Sequence, residues 1–140
     1  MIYIFCVYLG TKLCNMRKRI ELEYIFSSSV KVLYSRLSTP AGLAEWFADD
    51  VIQKGNQFIF VWNKTEQSAT LVEAKPHSHV RFVWDDAEDE DEYFEFEIHV
   101  EPLTGDVALI ITDFVDEDEE SDSISVWDKQ IESLHRNLGA

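Results

Sequence analysis

The sequence predicts a single α+β domain of order β-α-α-β(about 6)-α, an antiparallel meander with helices near both ends. Three observations predict it. A period-two apolar segment near residue 20 leads into two short stretches of helical spacing. Residues 51–114 alternate repeatedly with a period of two. An apolar stripe at three- and four-residue steps closes the chain. With 140 residues, 46% of them hydrophobic and 13% aromatic, the chain amounts to one domain and can fill one core.

The elements follow in order. Ile20, Leu22, Tyr24 and Phe26 share one face of a half-buried strand, with Glu21 and Glu23 on the other. Ser27-Ser28-Ser29 supplies an N-cap for a short helix carrying Val30, Leu33 and Leu37. Ser38 or Thr39 caps a second helix with Pro40 in its first turn and Leu43, Trp46 and Phe47 on its apolar face, closed by Asp49-Asp50. Strands are then expected at Val51-Ile52, at 58–62, at 66–75, at 80–84, at 93–100 and at 107–114, the last of them central. Turns at Lys54-Gly55-Asn56, Asn63-Lys64-Thr65, Pro76-His77-Ser78 and residues 101–106 separate them. The closing helix carries Ile124, Trp127, Ile131, Leu134 and Leu138, with N-caps expected among Ser121–Ser123, a Glu132–Arg136 pair and a stop at Gly139. This helix must cover the concave side of the sheet, because nothing else in the sequence can.

Charge excludes some functions. Asp and Glu total 27 against 12 Lys and Arg, a net of −15. Nucleic-acid phosphates and anionic membrane surfaces both demand cationic patches, so neither is an expected partner. The acid is concentrated in two runs. Asp85-Asp86-Ala87-Glu88-Asp89-Glu90-Asp91-Glu92 carries seven carboxylates and Asp116-Glu117-Asp118-Glu119-Glu120-Ser121-Asp122 carries six, leaving 14 acids against 12 bases elsewhere. In a meander successive strands reverse, so both runs and Asp49-Asp50 fall at one end of the sheet. Asp49, Asp50, Asp85, Asp86, Glu88, Asp89, Asp116, Glu117 and Asp118 are therefore expected to form an acidic rim, able to steer a cation or a basic protein partner. Its plain alternative is a pair of solvated loops.

Residues 1–16 form an apolar N-terminal extension, and the domain is read as 17–140. The apolar run of nine residues is too short to span a membrane, which takes about 20. It has no preceding positive region, as a secretory leader would. Met16 offers an alternative start, and a membrane-seeking leader is the other reading. Both cysteines, Cys6 and Cys14, lie here, so the domain itself is free of thiol chemistry and suits a reducing, cytoplasmic setting.

The element order, together with Leu37-Ser38-Thr39-Pro40-Ala41-Gly42-Leu43-Ala44-Glu45-Trp46-Phe47, resembles the START-like or SRPBCC superfamily, whose helix-grip fold is that of the birch-pollen allergen. The Leu-x-x-Pro-x-x-Leu-x-x-Trp-Phe pattern is most similar to the branch of activators of the heat-shock-protein-90 ATPase, and Trp127, Ile131, Leu134 and Leu138 resemble that branch's terminal helix. The resemblance covers Arg19 to Leu138 and is strongest for small bacterial single-domain members. It implies a curved sheet gripping the C-terminal helix. It implies little about function, because the superfamily hosts lipid carriers, cyclases and co-chaperones. No catalytic motif of the family maps onto this chain. Its acidity and short loops depart from the larger lipid-transfer members and argue against a roomy lipid cavity.

The residues offer little conventional chemistry. The domain has no Cys and no Gly-x-Ser-x-Gly elbow. His77-x-His79 would need two further ligands to hold zinc and sits in a turn, so no metal site and no cofactor are expected. The acidic runs lack the glycine and the spaced ligands of a calcium loop. Tyr24, Thr112 and Asp113 are the polar candidates for the inner sheet face, each with a structural use. The aromatic residues Trp46, Phe58, Phe60, Trp62, Phe82, Trp84, Phe94, Phe96 and Trp127, with Ile131, either line a cavity between sheet and helix or fill it as core. The leading expectation is therefore a non-enzymatic module binding a small hydrophobic molecule in that grip. The alternative is a protein-interaction or co-chaperone-like module that works through the acidic rim over a filled core. An enzyme ranks third.

Overall fold

The computed structural model describes residues 17–89 and 91–139. The extension 1–16, with both cysteines and Met16, lies outside the described residues, as does Glu90 of the first acidic run. The order is β1 (Arg17–Phe26), α1 (Val30–Ser38), α2 (Pro40–Leu43), β2 (Asp50–Lys54), β3 (Gln57–Trp62), β4 (Thr65–Lys75), β5 (His79–Trp84), β6 (Phe94–Val100), β7 (Val107–Asp116), a 3₁₀ turn (Glu117–Glu119) and α3 (Glu120–Leu138).

The strands form one antiparallel sheet in the order β1-β7-β6-β5-β4-β3-β2. From β2 to β7 the chain is a meander, with a longer connection, residues 85–93, between β5 and β6. β1 is the exception: it pairs with β7 at the opposite edge from β2, so α1 and α2 carry the chain across the sheet. Registers such as Leu22↔Ile111, Ile111↔Phe96, Phe96↔Val80, Phe82↔Leu71 and Ala69↔Phe58 align one inner face. α3 lays Trp127, Ile131 and Leu134 on that face in a common core. The sheet curves around the helix in the helix-grip manner. Phe58, Phe60, Phe82 and Phe96 are fully buried, each worth roughly 1.5–3 kcal/mol of transfer free energy.

Local chemistry explains the element ends. The Ser29 hydroxyl accepts the Val32 N–H at 3.2 Å and caps α1. The Thr39 hydroxyl accepts the Gly42 N–H at 3.0 Å and caps α2, with Pro40 following it. Gly139 closes α3 in the left-handed region at φ 72°. In β4 one extra residue, Val72, bulges out between Leu71 and Glu73. Leu71 stays opposite Phe82 inside, while Glu73 moves opposite Arg81 on the convex face.

The structure departs from expectation in three places. α2 stops at Leu43 rather than running to Asp49, because the Leu43 carbonyl takes the Ala48 N–H at 3.3 Å as well as that of Phe47, and the regular ladder ends there. The Trp46 indole donates to the Arg36 carbonyl at 2.8 Å. α3 begins at Glu120, so Ser121–Ser123 lie inside the helix and cap nothing. The Asp116 carboxylate instead accepts the Asp118 N–H at 3.0 Å and caps the preceding 3₁₀ turn. Thr112 lies on the convex face, paired with Glu21 and Glu95, because its neighbours Ile111 and Asp113 take the inner positions.

Candidate functional site

A cavity of about 60 Å³ opens between the inner sheet face and α3. Period-two strands bring it Trp62 from β3, Trp84 from β5, Phe94 from β6 and Asp113 from β7. Ser123, Val126, Trp127 and Gln130 come from α3, at the i, i+3, i+4 and i+7 spacing of one helix face. Phe47 enters from the turn after α2. The rings touch one another around the space. Centroids lie 5.3 Å apart for Phe47–Trp62, 6.2 Å for Trp62–Trp84, 4.7 Å for Trp84–Phe94, 5.7 Å for Phe47–Phe94 and 5.8 Å for Phe47–Trp127.

Polar groups are few and placed. The Trp127 indole N–H donates to Asp113 Oδ2 at 3.0 Å, and the Phe114 backbone N–H donates to Asp113 Oδ1 at 2.8 Å. Burial pushes the Asp113 carboxyl up to about 6, against the pull of these two donors and of the Arg17 charge. The Phe47 carbonyl accepts both the Trp62 indole N–H at 2.8 Å and the Gln130 amide at 2.9 Å. These bonds tie the turn after α2 to β3 and to α3. Ser123 is 5% exposed, and its hydroxyl has no hydrogen-bond partner among the described residues. Phe47, Trp62 and Gln130 also border an open surface groove of about 490 Å³ that contains Glu45, Asp49 and Ser133. Groove and cavity thus share Phe47, Trp62 and Gln130 as common wall.

Of the ten residues expected around a cavity, Trp62, Trp84, Phe94 and Trp127 form its wall. Trp46 borders the outer groove instead. Phe58, Phe60, Phe82, Phe96 and Ile131 are not among its walls. Their side chains are packed away, with ring pairs such as Phe58–Phe82 at 5.1 Å and Phe82–Phe94 at 5.0 Å closing the space between them. The cavity is correspondingly far smaller than the roughly 300–1,000 Å³ of a drug-sized site. Phe47, Ser123, Val126 and Gln130 were not anticipated. Helical spacing from Trp127 was the signal available for the last three. For Phe47 the only hint was its place beside Trp46.

The registers put Asp50 at the start of β2, Asp85 after β5 and Asp116 at the end of β7, all at one end of the sheet. Several rim carboxylates are committed internally. Asp49 accepts the Asn63 N–H, Asp50 accepts the Val51 N–H, and Asp89 accepts the Asp91 N–H. Asp85 accepts the Thr70 hydroxyl at 2.7 Å and the Gln57 amide at 2.9 Å. Its pKa falls below the usual value because these bonds outweigh the opposing effect of burial, the largest single influence. Asp116 is buried at 3% exposure. Asp86, Glu88, Glu117 and Asp118 are exposed. Bases also reach this end: Arg17 forks onto Glu92 at 2.8 and 3.2 Å, and Lys18 meets Glu120 at 2.9 Å.

The histidines part company. His77 takes a positive φ of 64° and packs edge-on against Tyr34 at 5.8 Å. His79 points to the convex face, where it contacts Glu73 and stands near Glu95. Glu95 is already engaged by Arg81 at 3.2 Å. Tyr24, from the inner face of β1, donates its hydroxyl to Asp128 at 2.6 Å. Burial, then this bond, holds its proton on well above the ordinary range. No helix among the described residues is long and apolar enough to cross a membrane.

Known proteins agree with this architecture. The solution structure of BfR322 from Bacteroides fragilis is 40% identical, with a TM-score of 0.63 over 87% of this chain and 91% of that one. The Aha1 dimer from Colwellia psychrerythraea has a TM-score of 0.71 at 17% identity, covering 86% and 96%. CalU16 from Micromonospora echinospora has a TM-score of 0.68 at 14% identity, covering 87% and 76%. These last two likenesses concern the fold alone. No curated protein matches the sequence. Residues 14–140 match the family described as START-like superfamily domain, and that span includes every strand and helix of the grip. The chain belongs to the START-like superfamily.

Proposed function

We propose that this START-like domain acts by binding rather than by catalysis, in the cytoplasm, and that it holds a small, largely apolar molecule in the mouth between β3, α3 and the turn after α2. The observation that carries this reading is the aromatic enclosure of Phe47, Trp62, Trp84, Phe94 and Trp127, which shares Phe47, Trp62 and Gln130 with the adjoining outer groove. Apolar walls with a few convergent polar groups are the usual make-up of a ligand site. The small inner volume restricts what enters to the tip of a molecule, with the rest lying in the groove. Native mass spectrometry of the protein purified from its own host tests this. A stoichiometric small molecule, released on denaturation, is the expected result. An apoprotein mass, with no response of the Trp62 and Trp127 indole signals to apolar probes, would refute it.

The second reading is an interaction module for a basic protein partner. The observation favouring it is the exposed set Asp86, Glu88, Glu117 and Asp118 at one end of a sheet whose core is largely filled by aromatic rings. Such a contact would weaken steeply with salt.

A further inference from the structure

We infer that the ligand of this cavity carries a protonated amine, a primary or methylated alkylammonium whose charged tip sits beside Asp113 among the aromatic rings. The inference rests on the binding reading above and gives its ligand a chemical class. Four observations converge on it. Asp113 presents a carboxylate to the cavity from the inner sheet face, and its two neighbouring donors leave lone pairs on both oxygens. Five aromatic rings, Phe47, Trp62, Trp84, Phe94 and Trp127, make most of the remaining wall, and a cation gains from the face of a Trp or Phe ring what a neutral group does not. Ser123 contributes a buried hydroxyl without a partner among the described residues, available to an N–H donor on a small rotation. Among the described residues, neither the cavity nor the groove has Lys or Arg in its wall, while the groove holds Glu45 and Asp49.

These features also say what is excluded. A fatty acid or phosphate would bring a negative charge to Asp113 with no cation in the wall to receive it. A neutral alkyl tip would fill the volume but offer no donor to the Asp113 lone pairs that Trp127 and Phe114 leave free. The size is consistent: about 60 Å³ accommodates roughly two groups of water size, a carbon and its ammonium nitrogen. The remaining alkyl chain would pass Phe47, Trp62 and Gln130 into the groove. The chain's net charge of −15 adds a field that concentrates cations at its surface.

The test is a titration followed through the four tryptophan indole N–H signals at pH 7.5 and physiological salt. The probes are n-butylammonium, butan-1-ol and butyrate. n-Butylammonium is expected to move the Trp127 signal, whose N–H is held by Asp113. It should do so with a Kd at least about tenfold below that of butan-1-ol, while butyrate moves nothing. In Asp113→Asn the preference should vanish, ammonium binding falling to the level of the alcohol. Equal affinity for ammonium and alcohol in the wild type would overturn the cation assignment and leave the apolar-pocket reading standing. Silence from all three probes would overturn both. Shifts of the backbone N–H signals of Asp86 and Glu88, exposed rim residues outside both cavity and groove, as large as those of Trp127 would show mere counterion attraction and also overturn the assignment. The wild-type comparison needs no variant, so it decides even if Asp113→Asn fails to fold.

Discussion

Asp113 should make the protein less stable as pH rises from about 4 to about 6, the reverse of ordinary acid denaturation. Burial pushes its carboxyl up to about 6 in the folded chain, against an ordinary value of 3.8. Between those values the folded chain keeps a proton that the unfolded chain has released. Stability therefore falls with pH across that window and levels off above it. Two pKa units, at about 1.36 kcal/mol each, amount to about 3 kcal/mol. The other acids obscure this in the wild type alone, so the reference is Asp113→Asn, which keeps the shape and removes the titration. Asparagine offers one acceptor oxygen to two donors, Trp127 Nε1–H and Phe114 N–H, and one donor left unpaired costs about 1–3 kcal/mol. That cost does not vary with pH, so it displaces the difference curve without changing its slope. The assay is urea unfolding followed by tryptophan fluorescence at half-unit steps of pH. The wild type should lose about 3 kcal/mol relative to the variant across the full window. A difference that stays within about 1 kcal/mol, or that rises with pH as it would if the Arg17 charge dominated, would refute the argument.

Three further outcomes follow from the packing. Gly42→Ala places a Cβ 2.3 Å from the Ser35 carbonyl oxygen and 2.7 Å from the Arg36 Cα, both rigid backbone of α1; a loss of about 3 kcal/mol and a Tm lower by about 10 °C are expected, and a drop under about 2 °C would show that α1 and α2 separate freely. Trp46→Phe removes the indole donor from the Arg36 carbonyl and should cost about 2 kcal/mol by chemical unfolding, whereas no loss would mean water serves that carbonyl equally well. Glu92→Ala breaks the fork to Arg17 between side chains 12% and 19% exposed, and should cost about 1–2 kcal/mol, with a deficit that narrows only slightly in high salt. A deficit erased by salt would mark the pair as an ordinary surface one.

How much of the molecule could be read in advance is clearest in particular residues. Period-two alternation in β6 reveals Phe94 and Phe96 as inward, since neighbouring side chains on a strand must face opposite ways, whereas β3 is apolar from Phe58 to Trp62 and only its pairing shows Phe58 and Phe60 inside. Ser29, Thr39 and Gly139 announce helix ends because capping is local chemistry. The Ser121–Ser123 triplet misleads for the same reason: three good capping residues were present, yet Asp116 came first in the chain and served the turn. Val72 gave no sign of its bulge, which depends on how β4 pairs with β5. The placing of Thr112 outside and Asp113 inside turned on a single step of register, and that step moved a carboxylate into the cavity.

The sequence by itself determined the α+β class, the order of elements, the composition of the inner face and the family, because these rest on periodicity, caps and turns that act over a few residues. Only the tertiary structure decided which aromatic rings close upon one another and which leave a gap. It alone brought Phe47 from a turn, Asp113 from β7, second from the sheet edge, and Gln130 from α3 to one mouth. Packing is a many-body condition on volume: whether rings contributed by different strands and a helix leave about 60 Å³ or none depends on all their positions at once, and no local pattern encodes it.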